Sequence, residues 1–227
     1  MKKAATKIGK LLFIIAVTVI GTLQLQSTMP SADNAARPSA GSSPAAEVLT
    51  QLAVKGRAPK TGYSRDMFSS GWGIIHGCDL RNYILARDMT SVSYVDDTCK
   101  VQTGILADPY TGTMVQFVRG TDTSDDVQID HVVALSDAWQ KGAQQLSPDD
   151  RFRFANDPLN LLAVDGNANQ NKGDSDAASW LPPNKSYRCA YVARQIAVKA
   201  IYSLWVTAAE YNAMANVLTS CPEQVLP

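Results

Sequence analysis

The sequence predicts an α+β fold, a single domain in which short antiparallel strands are flanked by helices. Segments with the period-two alternation of strands lie in the middle of the chain, and apolar residues at helical spacing recur in its last quarter. The 227 residues are 45% hydrophobic and 19% charged, which is the composition of a folded globular protein. The chain is therefore long enough for one domain with a complete core.

The N-terminus has the pattern of a secretory signal. Four lysines within the first ten residues precede an apolar run at 11–23, which is too short to span a membrane comfortably. Cleavage sites are available near Ala32 and Ala36, and an uncleaved anchor stays open as the alternative. We therefore predict a signal peptide or N-terminal anchor at 1–26, and a protein that is secreted or anchored outside the membrane.

The composition of the sequence predicts where the folded domain begins and what net charge it carries. Residues 27–44 are rich in Ser, Ala, Pro and Asn, which predicts a disordered linker there and a folded domain at 45–227. Residues 1–36 hold four of the 21 basic and one of the 21 acidic residues, so 37–227 keep 17 and 20, a net charge of −3. This balance excludes a generally basic nucleic-acid-binding surface, so phosphate binding would need a local patch or a metal.

The first half of the domain is predicted to hold two helices followed by a small antiparallel sheet. Apolar spacing predicts helices at 45–54 and 79–88, and alternating residues predict strands at 91–94, 102–106 and 113–119. The loop at 55–63 carries three cations, which are either solvated surface charges or a phosphate-contacting edge. His76 lies among glycines with no partner at a useful spacing, so we leave it out of the site.

The second half predicts two strands separated by helices. A strand at 127–129 delivers Asp130 and His131, and a helix follows at 134–141. Ser147 as N-cap and Pro148 at the first helical position predict a helix that runs to Ala155. An apolar strand at 159–164 then turns at 165–166 into an asparagine-rich loop.

The C-terminal part is predicted to be helical. One helix places five large apolar residues on one face, namely Tyr191, Val198, Ile201, Tyr202 and Trp205. The segment from Thr207 to Glu210 has the pattern of a capping box that begins a last helix.

Four cysteines fit an exported protein with two disulfides, for which three connectivities are possible. The absence of a Cys-x-x-Cys pair argues against a zinc site. We predict that Cys78 pairs with Cys99, which would tie a helix to the sheet. Cys189 is then expected to pair with Cys221 and to clamp the last two helices.

The stretch from 129 to 174 contains the residues that carry chemistry. Asp130 and Asn169 supply hard oxygen ligands, His131 a base that titrates near neutral pH, and Asn160 a group that could orient the imidazole. Lys172 could neutralise a phosphate oxygen. This set suits metal-assisted cleavage of a phosphodiester.

Other interpretations of the same residues remain open at this point. A buried histidine satisfied by a neighbouring carboxylate explains Asp130 and His131 without catalysis. Because neighbouring strand residues point to opposite faces, the pair can share one site only where the strand ends or bulges. Arg119 either forms an ion pair with Asp122, Asp125 or Asp126 or binds a substrate phosphate.

The motifs resemble those of the HNH or ββα-metal nucleases. Asp130-His131, Asn160 and Asn169-x-x-Lys172-Gly173-Asp174, together with the runs at 154–162 and 180–183, are most similar to exported HNH endonuclease family proteins. That family is related to the C-terminal nuclease domain of GmrSD-type modification-dependent restriction enzymes. The resemblance covers about residues 55–221 and implies a ββα-metal core at about 127–180.

The resemblance also implies a role for each motif residue. His131 would be the general base, Asp130 and Asn169 the metal ligands, and Asn160 the residue that orients the base. Asparagine replaces the last histidine of better-known members, which favours Mg²⁺ or Mn²⁺ over zinc or nickel. Asn167 and Asn171 remain alternatives to Asn169, because the register rests on the spacing to Lys172 alone.

The sequence therefore predicts a secreted, metal-dependent endonuclease that hydrolyses DNA with little sequence specificity. The low sequence specificity is expected because no recognition module is visible in the sequence. RNA is the alternative substrate. Lys172 and Arg119 are the expected substrate-binding residues. We expect a monomer with no stable protein partner apart from a dedicated inhibitor protein. The alternative is a non-catalytic secreted binding or cell-envelope protein that retains the fold.

Overall fold

The computed structural model describes residues 44–227. The predicted signal or anchor at 1–26 and the predicted linker, apart from its last residue, lie outside the described residues. Within residues 44–227 no helix combines the length and the apolar character needed to cross a membrane.

The domain has the predicted α+β composition. The helices are α1 (Pro44–Gln51), α2 (Leu80–Asp88), α3 (Leu135–Trp139), α4 (Pro148–Ala155), α5 (Gly166–Lys172), α6 (Arg188–Ile201) and α7 (Ala208–Leu218), with short 3-10 turns at Arg65–Met67, Ala143–Gln145 and Lys185–Tyr187. The strands are β1 (Ile74–Ile75), β2 (Cys78–Asp79), β3 (Met89–Tyr94), β4 (Val101–Ala107), β5 (Met114–Val118), β6 (Val127–His131) and β7 (Leu161–Asp165).

The predicted small sheet is confirmed. Strands β3, β4 and β5 pair antiparallel in that order, and their inward side chains pack against α2. The N-terminus of α2 is capped by Asp79, whose carboxylate accepts the Asn82 backbone N–H at 3.0 Å. The turn between β4 and β5 reaches the second sheet, because Asp108 accepts the backbone N–H of Asp165 at 2.9 Å.

Strands β6 and β7 form an antiparallel hairpin whose register pairs Asp130 with Leu162 and His131 with Leu161. Strand β6 ends at His131, one of the two arrangements expected for the Asp-His pair. At the other end of the hairpin, Gly166 lies so close to Asp125 that a Cβ would sit 2.0 Å from the Asp125 carbonyl oxygen. This position therefore accepts only glycine.

The asparagine-rich segment corrects one expectation, since it is the helix α5 rather than a loop. Asp165 begins the helix by accepting the Ala168 backbone N–H at 2.8 Å, and Gly173 ends it at φ 54°. Helical geometry puts Asn169 and Lys172, three residues apart, on the same face. Helix α5 follows β7 directly and is the helix of the ββα unit, so it lies against the hairpin of β6 and β7.

The C-terminal helices α6 and α7 pack on α1 around a shared apolar core. The predicted inward face of α6 holds for Tyr191 and Val198, which are buried. It is wrong for Ile201, which is 61% exposed at the end of the helix, and Trp205 lies beyond the last turn. The periodic pattern continued past the residue where the helix ends.

Both predicted disulfides are confirmed. Cys78 in β2 pairs with Cys99 just before β4, and Cys189 in α6 pairs with Cys221 after α7. Their sequence separations are 21 and 32 residues, for which chain entropy suggests about 3 kcal/mol of stabilisation each.

A buried ion-pair network joins the helices. No pattern in the sequence predicted it. The Lys141 ammonium lies 2.6–2.7 Å from carboxylates of Asp137, Asp176 and Glu210. Lys199 of α6 pairs with Glu210 at 2.9 Å and Asp137 at 3.4 Å. Thr207 caps α7 as predicted, accepting the Glu210 backbone N–H at 3.1 Å, but the Glu210 carboxylate belongs to this network and not to the capping box.

Replacement of Lys141 by methionine should strongly destabilise the protein. It leaves three buried carboxylates without their shared cation, a loss that costs about 3–5 kcal/mol. Denaturant titration of Lys141→Met at neutral pH measures this. The exposed Lys185→Met is the matched control and should stay within about 0.5 kcal/mol of wild type; similar midpoints for the two variants would contradict the network's importance.

Replacement of Gly166 by alanine tests the close approach of the hairpin to the segment before it. The added Cβ meets the Asp125 carbonyl oxygen just before β6, and the backbone there must shift to make room, so we expect at least about 2 kcal/mol of destabilisation. Gly56→Ala is the control because a Cβ there meets nothing within 4 Å. An unchanged thermal midpoint for Gly166→Ala would contradict the close approach of Gly166 to the Asp125 carbonyl oxygen.

Candidate active site

The end of β6 brings Asp130 and His131 to one cleft. Their side chains leave the strand on opposite faces, as its period of two requires. Both nevertheless line the same cleft, together with Asn169 and Ser136, because His131 is the last residue of the strand. The predicted meeting of Asp130, His131 and Asn169 is therefore present in the structure.

The hydrogen bond of the His131 ring identifies its basic nitrogen. Nε2 lies 2.8 Å from the carbonyl oxygen of Ala155. A carbonyl only accepts, so Nε2 carries the hydrogen and the neutral ring keeps its lone pair on Nδ1. Burial lowers the pKa of His131 to about 3, partly offset by the Ala155 hydrogen bond, so the imidazole is neutral at neutral pH. The expected titration near neutral pH is therefore wrong for the folded protein, because the ring is largely out of contact with water.

Trp72 fixes the plane of this ring. The indole is nearly parallel to the imidazole, with centroids 6.1 Å apart and 9° between the planes. Together with the Ala155 carbonyl, the stacking leaves the ring one orientation. Trp72 comes from the loop before β1, so only the tertiary fold brings it to His131.

Asn160 is fully buried and holds the backbone on both sides of the site. Its Oδ1 accepts the Val133 backbone N–H at 2.8 Å, and its Nδ2 donates to the Val133 and Phe154 carbonyl oxygens at 3.3 and 3.4 Å. The Asn160 side chain thus bonds to the backbone of Val133 and Phe154, and it does not bond to the His131 ring, whose partner is Ala155. Any influence of Asn160 on the imidazole orientation is therefore exerted through the backbone.

Asp130 is buried between two donors. Tyr110, delivered by the turn between β4 and β5, donates its hydroxyl at 2.5 Å, and Lys172 donates at 2.9 Å. Burial raises the pKa of Asp130, while Lys172 and the Tyr110 hydrogen bond act in the opposite direction. The carboxylate is thus held in one position by groups from the small sheet and from α5.

Lys172 does not lie where a substrate phosphate could reach it. Its side chain is fully buried, and its ammonium donates to Asp130 and, at 2.9 Å, to the His131 carbonyl oxygen. The expected substrate contact is replaced by an internal one, because the helical face of α5 turns this residue under the hairpin.

Asn169 lines the cleft and has an oxygen available. Its Nδ2 donates to Gln128 Oε1 at 2.9 Å, and its Oδ1 has no partner among residues 44–227. Asn167 and Asn171 are exposed and do not line the cleft. Of the three asparagines, Asn169 is therefore the one that lines the cleft.

The residues of this cleft fit a hard divalent cation held mainly by water and substrate. The described residues contain no group of three or more His, Cys, Asp or Glu that could form a closed metal cage. Mg²⁺ commonly uses only one or two protein oxygens, and Asp130 and Asn169 are the residues of this cleft that would supply them. The Asp130 carboxylate has about four acceptor positions, of which Tyr110, Lys172 and the His131 backbone N–H use three, so one is left for a cation.

Arg119 lies outside the site. Its guanidinium donates to the Val101 carbonyl and to Asn82 Oδ1, both at 2.6 Å, and so ties β4 to α2. A second cleft beside His131 is lined by Trp72, Ala155 and Asn156. Arg119 lines neither of the two clefts, and it makes none of the ion pairs considered as the alternative. Packing of α2 on the sheet turned this arginine inward.

The cations of the 55–63 loop have separate roles. Lys55 lies 5.1 Å from the Trp205 ring centre, and Arg57 joins the buried network through Asp137 and Asp176. Only Lys60 approaches the site, 3.1 Å from Asp174 of the cleft. His76 is exposed, as the sequence suggested.

A comparison with protein families places the chain in a known family. Residues 75–217 match the family of the GmrSD restriction endonucleases, C-terminal domain, so the chain is a member of a nuclease family. The matched segment contains Asp130, His131, Asn160 and Asn169 but not Trp72.

One relative matches almost the whole chain. A protein of Arthroderma benhamiae named "Uncharacterized secreted protein" is 40% identical over 215 residues, which cover 93% of this chain and 100% of the relative. No solved structure matches the chain.

The buried neutral His131 predicts a specific dependence of stability on pH. Above pH 6.5 the His131 ring is neutral in both the folded and the unfolded state. Between about pH 6.5 and pH 3 the unfolded chain binds a proton at this ring and the folded protein does not. Stability is therefore lost as pH falls through this window, by roughly 2–4 kcal/mol at pH 4 from this group.

Denaturant titrations in EDTA between pH 7 and pH 4 test this prediction. The loss of unfolding free energy should be smaller in His131→Asn than in wild type, while the exposed His76→Asn should follow wild type. Equal losses in wild type and His131→Asn would mean that the ring is not buried in its neutral form.

Proposed function

We propose that the protein is a divalent-metal-dependent endonuclease that hydrolyses phosphodiester bonds of DNA. The observation that carries the proposal is the free Nδ1 of a neutral, buried imidazole beside the oxygens of Asp130 and Asn169 in one cleft. Membership of a restriction endonuclease family supports the reaction class.

His131 would act as the general base. Its Nδ1 would accept the proton of the attacking water, and the resulting charge would be stabilised by the Nε2 hydrogen bond to the Ala155 carbonyl. Trp72 and the backbone held by Asn160 would keep the ring in place during this transfer. The low pKa keeps this ring neutral at neutral pH but also makes it a weak base, so the negative charge of a bound phosphate beside it would be needed to favour protonation of Nδ1.

Asp130 and Asn169 would hold the metal, with Mg²⁺ or Mn²⁺ favoured because both ligands are hard oxygens. The bound cation would stabilise the charge of the phosphorane and of the departing oxygen. Tyr110 and Lys172 would keep the Asp130 carboxylate in position and lower the cost of its burial.

We propose that the substrate is DNA cut with little sequence preference, and that the protein is exported and acts as a monomer. Within residues 44–227 the chain is taken up by the hairpin, the small sheet and the helices that enclose them, which leaves no separate recognition module. Two disulfides and the secreted relative support export.

The direct test is plasmid cleavage by the disulfide-intact protein with Mg²⁺ or Mn²⁺, with a single-stranded RNA assayed in parallel. His131→Ala should reduce the initial rate at least about 100-fold, as expected for loss of a general base. Asp130→Ala and Asn169→Ala should raise the metal concentration needed for half-maximal rate.

His76→Ala is the matched control, because this exposed histidine lies outside both clefts, and it should cleave like wild type. Equal cleavage by wild type and His131→Ala, or none with either metal, would refute the proposed function. Absence of cleavage with either metal would leave the non-catalytic alternative. A non-catalytic protein is not expected to bind Mg²⁺ tightly through Asp130 and Asn169.

A further inference from the structure

Two clefts meet at His131. The first is lined by the 69–72 loop, Ala155 and Asn156, and the second by Asp130, Asn169, Ser136 and Asp174. Three residues line both clefts, namely Arg65, His131 and Leu135. A strand that occupied both clefts would therefore have its reacting phosphate beside His131 and Arg65.

Arg65 differs from the other cations that line these clefts or contact their carboxylates. Lys172 is buried against Asp130, and Lys60 pairs with Asp174. The Arg65 side chain is exposed, and its guanidinium makes no hydrogen bond or ion pair with residues 44–227. It is close enough to His131 for its charge to contribute to the low pKa of the imidazole.

The backbone that carries Arg65 is held in place. The 3-10 turn Arg65–Met67 is followed by Phe68, which is buried against Trp139 and Phe154. The Met67 carbonyl accepts the Arg151 Nε–H at 2.8 Å. The free guanidinium therefore extends from an anchored turn, which reduces the entropy lost when it binds a ligand.

We propose that Arg65 binds the non-bridging oxygens of the scissile phosphate, at the junction of the two clefts. The inference rests on the proposed function and adds a substrate contact that lies before the family-matched segment 75–217. A guanidinium offers parallel donors that match two phosphate oxygens. Among the described residues that line the clefts, the other charged side chains are acidic, as with Asp66 and Asp174, so Arg65 is the side-chain cation placed to pair with an anionic substrate beside the metal.

The first test measures binding without cleavage. A fluorescent DNA duplex is titrated with the protein in EDTA at several salt concentrations, for wild type, Arg65→Ala, Arg65→Lys and Arg153→Ala. Loss of one phosphate contact should reduce the slope of log K against log salt by about 0.9 for Arg65→Ala. Arg153 is exposed, lies outside both clefts and carries the same charge, so its alanine variant should keep the slope.

The second test measures cleavage with Mg²⁺ or Mn²⁺. Arg65→Ala should lose about 100-fold in kcat/KM, Arg65→Lys should retain part of the rate, and Arg153→Ala should match wild type. All variants should keep the wild-type thermal midpoint, since the Arg65 side chain supports no other group.

The outcomes separate this inference from the proposed function. Wild-type cleavage with an Arg65→Ala rate and salt slope equal to those of Arg153→Ala would overturn the role of Arg65 and leave the nuclease assignment intact. Absence of wild-type cleavage would overturn the nuclease assignment, and a reduced salt slope in Arg65→Ala would then still support a phosphate contact.

Discussion

The charge network around Lys141 is the interaction on which the arrangement of helices depends. One ammonium, with no exposed surface, neutralises carboxylates from α3, α7 and the segment after α5, and Lys199 adds α6. Burial of these charges is costly unless they are paired, so the network favours the packing of the four elements in which the charges meet. Because α3 also supplies Leu135 and Ser136 to the cleft beside His131, the network sets the position of one wall of the site.

The site itself is built around two polar side chains taken out of water. Asp130 and His131 are 5% and 7% exposed, and each has a dedicated partner from a distant part of the chain. Tyr110 arrives from the small sheet, Ala155 from the end of α4, and Lys172 from α5. Burial disfavours the charged imidazole and so keeps a neutral base available, while the same burial makes the Asp130 carboxylate dependent on Tyr110 and Lys172.

Most elements could be predicted because they follow from local patterns. Helix caps at Asp79, Ser147 and Thr207 act within one turn, and alternation in the three-stranded sheet reflects its one buried face. Errors arose where tertiary packing overrode the pattern. The asparagine-rich segment became a helix, the inward face of α6 stopped before Ile201, and Arg119 and Lys172 turned inward to internal partners.

The sequence by itself determined the two strands of the hairpin, the family motif and the order of Asp130, His131, Asn160 and Asn169, since each depends on neighbours along the chain. Only the tertiary structure decided which His131 nitrogen is free, which asparagine reaches the cleft and which cations stay available. Those properties depend on contacts between residues that are distant in sequence. Trp72 and Ala155 approach His131 from 59 residues before and 24 residues after it, and no local pattern encodes such a meeting.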